Sequence, residues 1–253
     1  MLYFLFLAAI SWLAGVLGGL TGTGGIIMPP LMMELFNVDP HLAMAMAQAS
    51  YVLPSLLAVI MFYRKKQLDW RVAIPMTITG CVCTFLSAGY LKPLLNSTWL
   101  SFFFAACVIL SGVVMLLRVK PMFAKPIAPP WRAPALLLLG AVVGLLSGIT
   151  GSGANAVLVP AMVFMGLEIL SVLGACQFFA VLSATSGAVG NSLNMSLDYV
   201  GLAWMIAGQL YGIWLGVRLA QRMDTEKLKR CVGFVCLFAG LFMMCKALFS
   251  ALH

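Results

Sequence analysis

A glycine-rich stretch occurs twice in this chain, and each copy interrupts a long apolar run. The first copy covers residues 15–31, GVLGGLTGTGGIIMPPL, and the second covers residues 144–162, GLLSGITGSGANAVLVPAM. A shift of 129 residues superimposes the two copies. The same shift pairs further residues without a gap: Met33 with Met162, Asp39 with Glu168, Gln48 with Gln177, and Leu68-Asp69 with Leu197-Asp198. This constant offset indicates a duplicated unit.

The chain is too apolar for a soluble protein of 253 residues, because 63% of its residues are hydrophobic and only 9% are charged. Apolar runs of about twenty residues recur along it, which is typical of helices that cross a membrane. The runs do not alternate as the strands of a membrane barrel do. The net charge of +8 comes from short basic clusters at the ends of apolar runs. We therefore predict an all-α, polytopic integral membrane protein that contacts lipid and binds no nucleic acid.

The apolar runs predict about eight long transmembrane helices and two short helices that follow the glycine-rich breaks. The long helices are predicted at residues 2–20, 42–63, 70–91, 99–117, 135–149, 173–193, 199–221 and 227–251, and the short ones at 26–35 and 155–165. A proline-rich cytoplasmic linker, 120–134, separates a first membrane repeat, 1–119, from a second, 135–253. We interpret the N-terminal run as a retained helix and not as a signal peptide, because its repeat partner lies in mid-chain.

Three basic clusters, which hold 13 of the 15 Lys and Arg residues, predict the orientation of the helices. They are Arg64, Lys65, Lys66 and Arg71; Arg118, Lys120, Lys125 and Arg132; and Arg218, Arg222, Lys227, Lys229 and Arg230. The positive-inside rule puts all three in the cytoplasm. This is possible only if the short helix after Gly153 counts as a crossing. About ten helical residues cover only half a bilayer, so the short helices need an extension by their glycine loops or must dip in and out. Each half then has five segments, the halves form an inverted repeat in the bacterial inner membrane, and both termini lie outside.

The repeated break predicts a binding site for a small anion. A helix that restarts after glycines exposes unpaired backbone N–H groups at the positive end of its dipole, and glycines let the backbone approach a ligand closely. Inverted repeats with broken helices are typical of transporters that bind substrate near the midplane. The predicted substrate-binding residues are Thr21, Gly22, Thr23, Gly24, Gly25, Gln48, Thr150, Gly151, Ser152, Gly153, Asn155 and Gln177.

Structural interpretations stand beside this one. The spacing of Gly15 and Gly19, and of Gly144 and Gly148, is common in simple helix packing in membranes. The two glutamines would also serve to satisfy carbonyls that a broken helix leaves free. Irregular backbone at membrane depth, however, is tolerated only where it is buried in protein or lines a cavity, so we assign the Thr-Gly-Thr-Gly and Thr-Gly-Ser-Gly segments to function.

Two other activities remain open at this point. A membrane-embedded serine hydrolase using Ser152 would need a base, and the only histidines are His41, in a loop, and His253, the last residue. A passive anion channel would use the same lining. The acids lie at or near the ends of apolar runs, which weakens sodium or metal transport. The seven cysteines mostly lie inside apolar runs and suggest no metal site, so we expect no cofactor. Because Ser152 has no evident base, we expect a transporter and not an enzyme.

The paired motifs resemble the sulfite exporter (TauE/SafE) family over essentially the whole chain. The resemblance lies in Gly-Gly-Leu-Thr-Gly-Thr-Gly-Gly with Pro29-Pro30, in its echo over 148–160, and in the Leu-Asp-aromatic start of the third helix of each half. It implies a permease for sulfite, sulfonates or related organosulfur anions, by export or import. The two half-sites are not identical, since Gly25 corresponds to Ala154 and Ile26 to Asn155.

Overall fold

The fold is seen in a computed structural model that describes residues 2–22, 24–26, 28–36, 38–91, 105–106, 108–110, 112–113, 116, 129–150, 155–192 and 198–252. Every element within these residues is helical. The α-helices are α1 Leu2–Thr21, α2 Met28–Phe36, α3 Pro40–Ser50, α4 Val52–Arg64, α5 Trp70–Leu86, α6 Pro129–Thr150, α7 Asn155–Phe164, α8 Ile169–Ser192, α9 Tyr199–Arg222 and α10 Thr225–Leu252. A 3₁₀ turn, Gly24–Ile26, follows α1, and a π-helical turn, Ser87–Leu91, ends α5.

Six helical spans in the described residues are long and apolar enough to cross a membrane. They are Phe4–Thr21, Leu42–Arg64, Trp70–Leu91, Ala133–Thr150, Ile169–Asn191 and Tyr199–Arg222. The short apolar helix Asn155–Phe164 follows the second glycine-rich break, as predicted. The polytopic helical class is therefore confirmed. The count of eight long helices stays a prediction, because the span predicted at 99–117 lies largely outside the described residues.

Three predicted helices differ clearly from the structure. Helix α8 begins at Ile169, four residues before the predicted start at residue 173. The single helix predicted at 42–63 is divided at Tyr51 into α3 and α4. Pro54 explains the division, because it has no N–H to donate to the carbonyl of Ser50 four residues earlier. The helix predicted from Ala135 begins at Pro129, inside the predicted linker. Proline is well tolerated in the first turn of a helix, so a run of prolines there was a poor boundary signal.

The repeated Leu-Asp-aromatic motif starts two equivalent helices, α5 and α9. The Asp69 carboxylate accepts a hydrogen bond from the Arg71 backbone N–H at 3.0 Å, and the Asp198 carboxylate accepts one from the Val200 N–H at 3.1 Å. Both aspartates are thus N-caps, which satisfy backbone donors that have no partner within the helix. The aspartate of the motif is an extended N-cap in both halves.

Helix α1 lies parallel to α9 across close glycine contacts. A Cβ atom added at each of three α9 glycines would overlap a carbonyl oxygen of α1: Gly208 with Ala8, Gly212 with Trp12, and Gly216 with Val16. Helix α6 lies parallel to α5 in the same manner: Gly140 meets the backbone of Met76, Gly144 that of Gly80, and Gly148 that of Thr84. Small residues let these backbones approach closely, as at other helix interfaces in membranes.

The two parallel helix pairs are equivalent under the 129-residue offset. A Cβ at Gly15 would lie 2.7 Å from the Gln209 carbonyl oxygen, and one at Gly144 would lie 2.7 Å from the Cα atom of Gly80. Gly15 corresponds to Gly144, and Gln209 corresponds to Gly80. The glycine contacts of one helix pair therefore have counterparts in the other pair, in which the halves exchange roles. The outer glycines of both motifs serve helix packing, as the spacing predicted.

Candidate functional site

A partly enclosed cavity lies between the two halves. The described residues that line it come equally from both halves: Gly22, Gly25, Ala47, Gln48 and Tyr51 from the first, and Ser147, Asn155, Ala180, Ser183 and Ala184 from the second. None of these carries a charge at neutral pH. The cavity thus brings together four residues of the predicted site, namely Gly22, Gly25, Gln48 and Asn155.

The first glycine-rich loop reaches this cavity because its backbone adopts conformations and contacts that exclude side chains. Gly22 has a φ of +76°, and a Cβ there would lie 3.2 Å from Val159 of α7. A Cβ at Gly24 would overlap the Ala14 carbonyl oxygen and the Tyr51 hydroxyl. Glycine is required at both positions, by left-handed geometry at one and by close packing at the other. The loop therefore packs against both the α3–α4 junction and the second half.

Gln48 is the polar side chain that α3 contributes to the cavity, and α8 fixes its orientation. The Asn191 Nδ2 donates to the Gly187 carbonyl oxygen at 2.9 Å and to Gln48 Oε1 at 3.0 Å. A Cβ at Gly187 would overlap the Gln48 amide, so the amide lies directly against the α8 backbone. The Gln48 Nε2 is buried and has no partner among the described residues.

Asn155 starts α7, directly after the second glycine-rich break. Its Nδ2 donates to the Cys176 carbonyl oxygen at 3.5 Å, and its Oδ1 is buried without a partner within the described part of the chain. The equivalent residue of the first half is Ile26, so this acceptor has no counterpart there. The two halves accordingly contribute different groups to one cavity.

Two serines add hydroxyl groups to the second-half wall. Ser147 and Ser183 are buried, and their Oγ atoms are 3.2 Å apart. The Thr84 Oγ1 lies 3.4 Å from Ser183 Oγ and anchors this pair to α5. Thr84 Oγ1 also lies 2.7 Å from the Gly80 carbonyl oxygen, to which it donates. The three hydroxyls thus form one buried polar cluster beside the cavity.

The predicted threonines and the second glutamine occupy other positions. The hydroxyl of Thr21 donates to the Leu17 carbonyl and that of Thr150 to the Leu146 carbonyl, each at 2.7 Å. The Gln177 Nε2 donates to the Gly18 carbonyl at 2.9 Å and ties α8 to α1. None of the three is among the described residues of the lining. Thr23, Gly151, Ser152 and Gly153 lie outside the described residues, so the hydrolase interpretation of Ser152 is not tested.

The sequence analysis missed several residues of this site. Tyr51, Ser147 and Ser183 line the cavity, and Asn191 orients Gln48. Only Asn191 carried a readable signal, since an asparagine inside a transmembrane helix requires a polar partner. The described residues contain no group of three or more His, Cys, Asp or Glu side chains arranged to hold a metal ion.

A helical membrane protein with an uncharged cavity between two related halves has the architecture of a transporter. The model of the sulfite exporter TauE/SafE family matches residues 7–243, and the chain belongs to this family. No solved structure matches the chain.

Curated relatives have similar length. The probable membrane transporter protein YunE of Bacillus subtilis is 24% identical, and the match covers 98% of this chain and 99% of that protein. The probable membrane transporter protein MJ0441 of Methanocaldococcus jannaschii is 20% identical over 94% of each chain. The probable membrane transporter protein YfcA of Escherichia coli K12 is 26% identical over 96% of this chain and 88% of its own. The motif resemblance seen in the sequence and the comparisons with known proteins thus agree that the chain is a membrane transporter.

Proposed function

We propose that this protein transports a small sulfur-containing anion, such as sulfite or an organosulfonate, through the cavity between its halves. The observation that carries the proposal is the buried, unpartnered Gln48 Nε2 in a cavity bordered by a glycine-rich loop. A buried donor without an acceptor is unfavourable until a ligand supplies one. The family description supports sulfite as the first substrate to test.

An uncharged site suits a transported anion. Amide and hydroxyl groups and exposed backbone N–H groups stabilise negative charge without a buried Lys or Arg. Such a site binds an anion firmly enough to desolvate it and weakly enough to release it on the other side. The predicted loop residues Thr23, Gly151, Ser152 and Gly153 would complete the ligand shell from the two helix breaks.

The direction of the helices supports an inverted repeat. Helix α5 begins beside the basic cluster of residues 64–71, and α9 ends at another basic cluster that includes Arg218 and Arg222. With both clusters in the cytoplasm, α5 runs outward and α9 runs inward. Helix α1 is parallel to α9, and α6 is parallel to α5. The repeat partners α1 and α6 would then cross the membrane in opposite directions, with the N-terminus outside.

An inverted repeat also gives a mechanism for alternating access. The halves have different conformations in this structure, since Gln177 is bonded to Gly18 whereas the equivalent Gln48 faces the cavity. If the halves exchange conformations, Gln48 Nε2 would donate to the Ser147 carbonyl, the counterpart of Gly18. Gln177 would be released at the same time and would meet the ligand from the other side. The cavity would thereby open alternately to the two membrane faces.

Ligand binding to the purified protein tests the proposal. A ligand that binds only the folded state raises the melting temperature by mass action. Sulfite, sulfate, a sulfonate and chloride should be compared by thermal shift at equal ionic strength. Stabilisation by a sulfur oxyanion and not by chloride is the expected result, whereas no shift with any of the four would reject the anion site. Saturable flux separates a transporter from the passive channel considered above.

A further inference from the structure

The hydrogen-bond partners of Gln48 identify which end of its amide is left without a partner. The Gly187 carbonyl can only accept, so the Asn191 atom that contacts it at 2.9 Å is the NH₂ nitrogen. The same nitrogen lies 3.0 Å from the Gln48 amide, which must present its oxygen there. The NH₂ end of Gln48, whose side chain is 3% exposed, therefore remains as an unpartnered donor among the described residues.

The orientation of the Asn155 amide follows in the same way, but here the oxygen is the atom that is left without a partner. Its contact with the Cys176 carbonyl identifies the contacting atom as the NH₂ nitrogen. The remaining atom, Oδ1, is an acceptor with no partner in the described part of the chain, on a residue that is 4% exposed. The cavity thus holds one unpartnered donor and one unpartnered acceptor, each on a buried residue of its lining.

We infer that the substrate is bound as a singly protonated oxyanion, whose O–H donates to Asn155 Oδ1 and whose charged oxygens accept from Gln48 Nε2. This inference rests on the proposed function and narrows its substrate class. A fully deprotonated oxyanion can only accept hydrogen bonds. Its oxygen would lie against Asn155 Oδ1, which is also an acceptor, and neither of these two oxygens would have a donor. None of the described lining residues offers a positive charge that would compensate a dianion.

Titration of the protein's own side chains around the cavity would not produce a pH-dependent anion affinity in the acidic to neutral range. Tyr51 is the only titratable side chain among the described lining residues. The elements packed against α7 add two buried thiols, Cys176, which contacts Met162, and Cys236, whose thiol donates to the Ala156 carbonyl. Free thiols and phenols ionise well above neutrality even without burial. A change in anion affinity in the acidic to neutral range is therefore a property of the ligand.

The test is calorimetric binding of sulfite and of methanesulfonate to the full-length protein below and above the second ionisation of sulfurous acid. Methanesulfonate has the same single charge as hydrogensulfite but no proton to donate. We expect sulfite affinity to fall about tenfold for each pH unit above that ionisation, because one proton is linked to binding. Methanesulfonate should bind at least about tenfold more weakly than hydrogensulfite, and its affinity should not change with pH.

A variant tests the acceptor directly. Asn155→Leu should flatten the pH dependence of sulfite binding, whereas Gln221→Leu, which replaces a buried amide outside the described lining, should retain it. The comparison of sulfite with methanesulfonate in the wild-type protein tests the inference even if Asn155→Leu does not fold. Equal, pH-independent binding of sulfite and methanesulfonate would overturn this inference and leave the proposed anion site intact. Binding of neither anion at any pH would overturn both.

Discussion

Gln177 and Gly18 are joined by a hydrogen bond of 2.9 Å from the glutamine Nε2 to the glycine carbonyl, across the boundary between the two halves. The equivalent pair, Gln48 and Ser147, has no such bond among the hydrogen bonds of the structure, and both of these residues line the cavity. Two glutamines that sequence alone treats as equivalent are thus in different states. This asymmetry distinguishes their expected mutant phenotypes.

Replacing each glutamine by leucine should affect different properties. Gln48→Leu removes an unpartnered donor at the cavity, so we expect anion affinity to fall about tenfold or more. It also removes the bond from Asn191, but relief of the buried unpartnered donor offsets that loss, so the expected change in thermal stability is small. Gln177→Leu removes a bond that holds α8 to α1, so we expect the free energy of unfolding to decrease by about 1 kcal/mol. Thermal melts and binding isotherms of both purified variants check this. A Gln48→Leu protein that binds as wild type would contradict its role at the site.

A methyl group at Gly187 should displace the Gln48 amide. A Cβ there would overlap all three terminal heavy atoms of that amide, whereas a Cβ at Gly190 on the same helix would be 3.1 Å from its nearest neighbour, the Phe85 carbonyl oxygen. Gly187→Ala should therefore reduce anion binding about tenfold, and Gly190→Ala should reduce it much less. Equal losses in the two variants would show that the effect is general helix packing and not displacement of Gln48.

Asn191 should act on the ligand by orienting Gln48. In Asn191→Asp the carboxylate has no proton to donate at neutral pH, so the Gln48 NH₂ would rotate towards it and away from the ligand. We expect binding to be abolished. Asn191→Leu has no added charge and leaves the Gln48 amide free to rotate, so the expected loss is intermediate. An Asn191→Leu protein that binds as weakly as Asn191→Asp would argue against orientation as its role.

The reciprocal helix contacts predict similar defects at equivalent glycines. A Cβ at Gly19 would lie 2.7 Å from the Val217 nitrogen, and one at Gly148 would lie 2.9 Å from the Ala88 nitrogen. Because both neighbours are backbone atoms, Gly19→Ala and Gly148→Ala should each decrease the free energy of unfolding by about 1–3 kcal/mol. Thermal unfolding in detergent measures this. A large defect in one variant and none in the other would mean that the two interfaces are not equivalent in strength.

Prediction from the sequence was most successful for residue types that have a single common structural role in a membrane protein. The apolar runs predicted the membrane helices, and the repeated glycines predicted both the close helix contacts and the loop at Gly22. It was least successful for polar side chains inside helices, because their partners are distant in sequence. Gln48 depends on Asn191, more than a hundred residues later, and no spacing rule connects them.

The division of roles between equivalent residues was also beyond sequence reasoning. Gln209 donates to the Ser50 hydroxyl at 2.9 Å, whereas at the equivalent positions Gly80 packs against the ring of Phe179. The hydroxyls of Thr21 and Thr150, which were predicted to bind the ligand, donate to carbonyls of their own helices in this structure. Threonine hydroxyls often bond to the carbonyl four residues earlier, and only the three-dimensional packing decides between that bond and a ligand.

The central claim is that this cavity carries an anion across the membrane. Uptake of radiolabelled sulfite into liposomes containing the purified protein tests it most directly, with Gln48→Leu as the site variant and empty liposomes as the background. We expect uptake that saturates with sulfite concentration and falls to background in Gln48→Leu. Uptake that never exceeds background in the wild type, or that saturates equally in Gln48→Leu, would contradict it.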